Sequence, residues 1–202
     1  MMLVGITGIV GSGKTTVSSM LRKKGLKTIN LDKIVKRLIE REDVKKEIEN
    51  EFGRSCIAEG RINIKRLSRL VFQDGGALKR LENIIHPRVK AETNKKIKSL
   101  EEKGVKTVVI DAPLLFETDM YKECGKTVVV SASAGTTKER LRGRGMQEDD
   151  IDRRTAIQLP LTEKEARADH VIHNDGTKKD LENEVHNLLN SIKRWEVETN
   201  AS

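Results

Sequence analysis

The chain has 202 residues, the length of one globular domain with at most an insertion. Its hydrophobic content of 36 % excludes a disordered chain, and its apolar runs are only strand-sized, which excludes a membrane-spanning protein. Charged residues make up 35 % and the formal net charge is +8, which indicates an anionic partner. Aromatic residues are only 2 %, which disfavours a stacking surface for single-stranded nucleic acid.

The first third of the chain alternates strands with helices. Residues 3–7 form an apolar run that predicts a buried strand, and a glycine cluster follows it. Val17, Met20 and Leu21 then recur at i, i+3 and i+4, which predicts an amphipathic helix. A second strand is expected at residues 27–31, with Asp32 at its end capping the next helix.

The middle of the chain, residues 44–103, shows only helical patterning and predicts an inserted helical subdomain. Turns are expected at residues 58–60 and 74–76, where glycine follows polar residues. A break is expected at His86 and Pro87, because proline disfavours the helical conformation of the residue before it.

The last part of the chain predicts two buried strands, at residues 105–110 and 126–131, and two charged helices, at 136–144 and 148–158. A short strand at residues 170–172 and a closing helix at 181–195 are expected to follow. Residues 198–202 are expected to form a frayed tail. Because strands alternate with helices throughout, we expect an α/β fold with a parallel five-stranded sheet flanked by helices.

A glycine-rich motif joins the first strand to the first helix. Residues 8–15 read GIVGSGKT and fit the phosphate-binding pattern G-x-x-x-x-G-K-S/T completely. Glycines let successive backbone N–H groups surround a phosphate, and the helix that follows adds its positive end. The expected nucleotide-binding residues are Gly8, Gly11, Ser12, Gly13, Lys14, Thr15 and Thr16.

Individual roles follow from the chemistry of such loops. Lys14 is expected to reach the β- and γ-phosphates of a nucleoside triphosphate, and the hydroxyl of Thr15 is expected to bind Mg²⁺. The dinucleotide pattern G-x-G-x-x-G fails, because Thr16 stands where its third glycine is required. The motif therefore favours a nucleoside triphosphate over NAD or FAD.

Two carboxylates follow predicted strands. Asp32 follows the second strand and Asp111 follows the strand at residues 105–110. Ligands of open α/β sheets bind beyond the carboxyl ends of the strands, where a carboxylate can accept a proton or hold a magnesium-bound water. A helix cap for Asp32, or a turn before Pro113 for Asp111, are the alternative interpretations.

Arg140 and Arg144 are four residues apart in a charged helical segment and are expected to share a helix face. Two guanidinium groups on a mobile helix would stabilise the charge that develops on a transferring phosphoryl group. A solvated charged face is the alternative.

Taken in order, these motifs resemble the dephospho-CoA kinase family of P-loop kinases over residues 5–189. The resemblance depends on five stretches: residues 5–16, 32–34, 81–87, the sequence DAPLLFE at 111–117, and Gln158 with Lys164, Ala168, Asp169, Asn174 and Gly176. It implies a nucleotide-binding core at residues 1–42, 104–134 and 159–197, a helical acceptor domain at 43–103 and a lid at 135–158. It also implies an enzyme that uses ATP and Mg²⁺ to phosphorylate the ribose 3′-hydroxyl of dephospho-CoA.

The resemblance also implies residue roles. Asp32 is the expected base, Lys14 and Arg140 join it as catalytic residues, and Arg144 is the second lid arginine. Asp32, His86 and Leu115 are the expected substrate contacts, and Thr15 and Asp111 the expected metal ligands. His86 is alternatively a residue that fixes a turn with Pro87. Asn30 departs from the family pattern, because an aspartate usually stands at this position.

Three other classes were weighed. A nucleoside monophosphate kinase would share the loop, the sheet and the lid arginines. A GTPase switch would need D-x-x-G and N-K-x-D motifs, and the chain contains neither. A nucleic-acid-binding module would use the net charge but leave the loop unexplained.

Cys56 and Cys124 have no Cys or His neighbour at metal-ligand spacing, which disfavours zinc and disulfides. The chain opens directly on its first strand without a basic leader, so a cytoplasmic protein is expected. We expect a monomer or weak homo-oligomer with ATP and dephospho-CoA as small-molecule partners, and neither a nucleic acid nor a membrane partner.

Overall fold

The computed structural model describes residues 1–201, except for the side chains of residues 72, 73, 149, 200 and 201. The chain forms two compact units. The sheet unit contains Met1–Ile29 and the chain from Leu100 onward, and the helical unit contains Asn30–Ser99. The predicted acceptor domain, residues 43–103, begins later and ends later than this helical unit.

The sheet unit starts with β1 (Met2–Thr7), α1 (Lys14–Lys23) and β2 (Lys27–Asn30). β1 is apolar and almost completely buried, as expected of a parallel strand that is covered on both faces. α1 ends at Gly25, whose φ of 95° lets the Leu26 amide donate to the Leu21 carbonyl at 3.1 Å. Glycine adopts this conformation without strain, so the helix ends there.

The helical unit contains α2 (Leu31–Leu38), α3 (Glu42–Phe52), a hairpin of β3 (Ile57–Ala58) and β4 (Arg61–Ile62), α4 (Ile64–Gln73) and most of α5 (Gly75–Glu101). The prediction of purely helical structure was wrong at the hairpin. Its two turn residues, Glu59 and Gly60, have φ values of 52° and 73°. Two successive residues with positive φ join antiparallel strands with the correct twist.

α5 continues through His86 and Pro87, so the predicted break there was wrong. Ile84, Ile85 and Val89 are buried on both sides of the proline. Because one apolar face extends through this stretch, packing holds the helix together across the hydrogen bond that proline cannot donate.

The sheet unit resumes with β5 (Thr107–Asp111), β6 (Lys126–Ser131), α6 (Ala134–Gly143), α7 (Glu148–Ala156), α8 (Leu161–Ala166), β7 (His170–His173) and α9 (Lys178–Ala201). Two features differ from the predictions. α8 was not predicted, and α9 extends to Ala201 through the expected frayed tail, of which Ser202 lies outside the described residues.

The five long strands form one parallel sheet in the order β2-β5-β1-β6-β7. Ile6 of β1 is in register with Asp111 of β5, and Thr7 is in register with Val129 of β6. β1 therefore lies between the two strands whose carboxyl ends flank the glycine-rich loop. The predicted α/β fold with a five-stranded parallel sheet is confirmed. Among the described helices, none is long and apolar enough to cross a membrane.

Candidate functional site

The loop between β1 and α1 has a backbone that only glycine can supply at several positions. Gly11 and Gly13 have φ values of 86° and 92°. A Cβ atom at Gly13 would overlap the side-chain amide of Asn174, and one at Gly8 would lie 2.5 Å from the Val130 carbonyl oxygen. The amides of Lys14 and Thr15 follow in the first turn of α1, where no helical carbonyl precedes them. The loop and the helix end therefore form an anion site.

Two amide side chains from distant parts of the chain hold this loop. The Gln158 Oε1 atom accepts from the Val10 amide at 3.0 Å, and its Nε2 atom donates to the Gly8 carbonyl at 3.4 Å. On the other side, Asn174 Nδ2 donates to the Ser12 carbonyl at 2.7 Å. Asn174 is itself fixed by its backbone amide, which donates to Ser131 at 2.8 Å. The loop is thus bound to the protein on both sides.

Lys14 and Asp111 form a buried ion pair at the end of β5. Their side chains are 11 % and 1 % exposed. The pairing follows from the register, because Asp111 stands beside Ile6 and the Ala112 amide donates to the Ile6 carbonyl at 3.0 Å. The Asp111 carboxylate thereby holds the ammonium group at the start of α1, where the phosphate groups of a nucleotide would share it.

A second buried cation lies close to the first. Lys164 in α8 is completely buried, with its Nζ atom 2.7 Å from Glu117 Oε1 and 3.0 Å from the Pro113 carbonyl oxygen. Burial lowers the pKa of Lys164, and the positive charge of Lys14 adds to this effect, whereas Glu117 acts in the opposite direction. The site therefore concentrates two ammonium groups and two carboxylates in low-dielectric surroundings.

The two predicted lid arginines occupy different environments. Arg140 in α6 is partly buried, and its Nη1 atom is buried without a hydrogen-bond partner among the described residues. That atom lies 3.8 Å from the position of a Cβ at Gly13, so it faces the loop. Arg144 follows the last helical residue of α6 and is exposed. Because Arg144 is the cap residue at the end of α6, its position on the same helix face as Arg140 stays a prediction.

Comparison with known proteins agrees with this geometry. A model of the dephospho-CoA kinase family matches residues 2–180 of the chain. The chain belongs to the dephospho-CoA kinase family. A dephospho-CoA kinase of Bdellovibrio bacteriovorus is 35 % identical over 188 residues, which cover 92 % of this chain and 94 % of that protein. The family resemblance and the assignment as a kinase are thus confirmed.

Two solved structures share the fold over nearly the whole chain. A Thermus thermophilus protein superposes with a TM-score of 0.83 at 33 % identity, covering 94 % of this chain and 97 % of that one. The dephospho-CoA kinase of Campylobacter jejuni superposes with a TM-score of 0.70 at 25 % identity, covering 95 % and 97 %. The P-loop kinase fold extends from the nucleotide loop through the closing helix.

Within this dephospho-CoA kinase fold, Asp32 occupies the first turn of α2, and Asn30 is the residue that caps the helix. The Asn30 Oδ1 atom accepts from the Lys33 amide at 2.8 Å. The prediction that Asp32 caps α2 was therefore wrong. Asp32 is exposed near the positive end of the helix. The departure from the family pattern at position 30 supplies the cap.

The two remaining substrate predictions fall in contrasting places. His86 is exposed in the middle of α5, away from any turn, so its predicted turn role with Pro87 was wrong. Leu115 is completely buried, and its side chain packs so closely on Gly5 that a Cβ atom there would overlap it. It has no exposed surface with which to touch a substrate in this structure, and its role here is to pack beneath β1.

The predicted metal ligands are Thr15 and Asp111. Thr15 and Thr16 are exposed at the start of α1, and Asp111 lies within the ion pair described above. Among the residues that the structure describes, no group of three His, Cys, Asp or Glu side chains could hold a metal by itself. A hydroxyl and one carboxylate suit Mg²⁺, because this ion takes much of its coordination from water and substrate phosphates.

Three site residues lacked an assigned role before the structure. Gln158, Lys164 and Asn174 were part of the family resemblance, but no chemistry was attached to them. Gln158 and Lys164 lie in or near a charged segment, where side chains are usually solvated. Their place in the family resemblance was the only available signal, since burial of a lysine has no local sequence pattern.

Proposed function

We propose that the protein transfers the γ-phosphoryl group of ATP to the 3′-hydroxyl of the dephospho-CoA ribose, yielding ADP and coenzyme A. The observation that carries the proposal is the complete phosphate-binding loop with Lys14 held against Asp111, in a chain of the dephospho-CoA kinase family. Phosphoryl transfer needs little covalent chemistry from the protein. It depends mainly on positioning and on stabilisation of charge on the transferring group.

Lys14 and the loop amides are proposed to bind the β- and γ-phosphates. The ion pair with Asp111, which holds the Lys14 ammonium group at the amino end of α1, supports this role. Negative charge on the bridging oxygen grows during transfer, so this cation stabilises the transition state more than bound ATP.

Asp32 is proposed to accept a hydrogen bond from the 3′-hydroxyl of dephospho-CoA, either as its base or as the group that orients it. The support is its place in the family motif together with its exposed carboxylate in the first turn of α2. Asn30 accepts from the Lys33 amide and so caps the helix that carries Asp32. A loose transition state requires little proton transfer, so orientation of the hydroxyl is the larger part of the proposed role.

Mg²⁺ is proposed to be held by the Thr15 hydroxyl and by the carboxylate of Asp111, the last residue of β5. When bound, this ion neutralises charge on the β- and γ-phosphates. Arg140 and Arg144 are proposed to contribute further positive charge from the lid, residues 135–158. The buried, unpartnered Nη1 atom of Arg140 supports its part, because a nucleotide phosphate would satisfy it.

Two further properties belong to the proposal. A cytoplasmic location is supported by the two free thiols, Cys56 and Cys124, which persist under reducing conditions. A monomer or weak homo-oligomer is proposed for solution, which light scattering over a range of protein concentrations would test.

The function is tested by incubating the protein with ATP, Mg²⁺ and separate acceptors: dephospho-CoA, adenosine, AMP and shikimate. Mass spectrometry and NMR identify each product and the position of its new phosphate. We expect phosphate at the 3′-hydroxyl of dephospho-CoA, and none with a Lys14→Ala preparation, which controls for contaminating kinases. Phosphorylation of AMP with dephospho-CoA left intact would contradict the proposal and favour a nucleoside monophosphate kinase.

A further inference from the structure

The carbonyl oxygen of Pro113 accepts hydrogen bonds from three side chains. The Thr7 hydroxyl donates at 3.1 Å from the end of β1, Gln158 Nε2 donates at 3.1 Å, and Lys164 Nζ donates at 3.0 Å. A carbonyl offers two lone pairs, so this oxygen is fully engaged. Pro113 follows Asp111 by two residues, and its position therefore constrains the carboxylate that pairs with Lys14.

Gln158 extends these contacts to the phosphate-binding loop. The same side chain that donates to Pro113 also contacts the Val10 amide and the Gly8 carbonyl. One amide group thus connects the chain beyond β5 with the first half of the loop. Any shift of Pro113 changes the position of Gln158, and with it the direction of the loop amides.

Lys164 holds the other side of this arrangement. Its ammonium group donates to Pro113 and pairs with Glu117 Oε1, which also accepts from the Leu159 amide at 2.8 Å. Leu159 is the residue next to Gln158, so Lys164 constrains Gln158 from two directions. Lys164 is fully buried and Glu117 is 13 % exposed. The second oxygen of Glu117, Oε2, is buried with no partner among the described residues, so Lys164 supplies most of the compensation for its charge.

We propose that Lys164 is a positioning residue for phosphoryl transfer: acting through Pro113, Glu117 and Gln158, it holds the phosphate-binding loop and the Lys14–Asp111 pair in their working geometry. We call these four residues the Pro113 network. The inference rests on the proposed function for its turnover measurements, but its nucleotide-binding measurement does not depend on the identity of the acceptor.

The network makes a prediction that a purely structural lysine does not. A lysine that only stabilises the fold lowers the melting temperature when removed, but it leaves the folded fraction with normal kinetics. A positioning lysine changes the alignment of the triphosphate, and misalignment of about 1 Å can reduce turnover by as much as 10²-fold. The KM for dephospho-CoA should be unaffected, because the site backbone that Gln158 contacts, at Gly8 and Val10, belongs to the nucleotide loop.

The test uses Lys164→Met, which keeps the aliphatic stem and removes the ammonium group, and Gln158→Leu, which leaves the Lys164–Glu117 pair intact. Arg167→Met is the matched control, since Arg167 caps the same helix, and its exposed guanidinium pairs with Glu163. Each variant is measured at a temperature where circular dichroism shows it folded. ATP binding is measured by calorimetry without acceptor, and kcat and both KM values are measured with dephospho-CoA.

We expect Lys164→Met and Gln158→Leu each to lower kcat by about 10-fold or more and to weaken ATP binding, with the dephospho-CoA KM within about twofold of wild type. Arg167→Met should match wild type. Because both residues act through Pro113, the double variant should be no worse than the poorer single variant.

Two results would overturn the inference. One is Lys164→Met with a lower melting temperature but wild-type kcat and ATP affinity. The other is losses that multiply in the double variant, which would show independent action. If Lys164→Met does not fold, Gln158→Leu decides, since normal kinetics there would equally refute the network. A wild-type protein that binds ATP but phosphorylates no dephospho-CoA would instead refute the proposed function.

Discussion

The two units of the molecule differ in where they place their polar side chains. Of the twelve buried polar side chains among the residues whose burial is described, only Thr93 belongs to the helical unit. The two that carry charge, Asp111 and Lys164, both lie in the sheet unit, and each has an ion-pair partner. Burial of charge is costly, so the sheet unit bears this cost at its phosphate-binding end.

In the helical unit, each described ion pair has at least one exposed side chain. Arg41 pairs with Asp43 at 2.8 Å with both side chains about half exposed, and Arg80 pairs with Glu51 at 2.6 Å in similar surroundings. Such exposed pairs contribute little to stability. Ile34, Leu38 and Ile48 form its apolar interior instead.

This difference indicates that the two units use their charged side chains in different ways. The sheet unit holds its charges in place before a nucleotide binds, so that little reorganisation is needed during transfer. In the helical unit at least one side chain of each described ion pair is exposed, so removing such a pair should disturb the fold less. Removing a charge from a buried pair of the sheet unit should therefore affect both stability and catalysis, whereas removing the exposed carboxylate of Asp32 in the helical unit should affect catalysis alone.

The largest effect is expected from Lys14→Ala in the sheet unit. Turnover should fall by about 10³-fold or more, because this cation stabilises the transferring phosphoryl group. The free energy of unfolding should also fall by roughly 3 kcal/mol, because Asp111 is left buried without its cation. Steady-state kinetics at saturating ATP and urea unfolding measure the two losses.

The double variant Lys14→Ala with Asp111→Asn separates these two losses. Removing the stranded charge should recover part of the stability while turnover stays low. Near-normal turnover in Lys14→Ala would contradict the assignment of the loop. Full stability in that variant would contradict the view that the sheet unit depends on compensated buried charge.

Asp32→Asn tests the helical unit. General-base catalysis contributes about 10²–10⁴-fold, and we expect a loss of kcat near the lower end, because the loose transition state relies more on orientation than on proton removal. The dephospho-CoA KM and the urea midpoint should change little, since the carboxylate is exposed. Glu40→Gln, an exposed acid at the end of α2, is the matched control. A variant within a few-fold of wild type would redirect attention to Asp111.

Arg140 in α6 is partly buried, whereas Arg144, directly after the helix, is exposed. Arg140→Ala should lower kcat by about 10²-fold, because its half-buried guanidinium faces the loop, and Arg144→Ala should lower it by roughly 10-fold. Arg142→Ala is the control, since Arg142 is exposed and pairs with Glu148 at 2.9 Å. Changes in the KM for ATP alone would leave simple binding as the role of both arginines.

Much of the sheet unit could be predicted from local patterns. The β-branched runs that formed β5 and β6 are short and uninterrupted, and the loop motif has a fixed spacing that depends on backbone geometry. The parallel orientation of the strands then follows from the helices that alternate with them. Asp111 was placed beside the site by the same reasoning, because it ends a predicted strand.

The errors occurred where distant contacts outweigh local preference. Pro87 has a local tendency to end a helix, but the apolar face of α5 continues through it. The β3–β4 hairpin is too short to show a period of two. Lys164 lies in a short charged helix that resembles a solvated one, and its burial depends on Pro113 and Glu117, which are about fifty residues earlier. No short window of the sequence contains Lys164 together with Pro113 and Glu117.

The smallest expected effect concerns His170 of β7, a half-buried histidine in the sheet unit. Its Nε2 atom is buried without a partner among the described residues, and its ring meets Trp195 edge-on at 6.4 Å between centroids. Burial lowers the pKa of His170, Glu184 opposes this change, and Arg194 reinforces it. Below the ordinary histidine pKa of about 6.5 the unfolded chain therefore binds a proton more readily than the folded chain. The free energy of unfolding should consequently fall as the pH drops from about 6.5 through the lowered pKa.

His170→Phe keeps a ring against Trp195 and cannot titrate, so its urea midpoint should fall less than that of wild type between pH 7.5 and pH 5, with turnover unchanged. An equal response of wild type and His170→Phe would show that this half-buried polar group of the sheet unit carries no cost on protonation, and would limit the contrast between the two units to the buried charges of the active site.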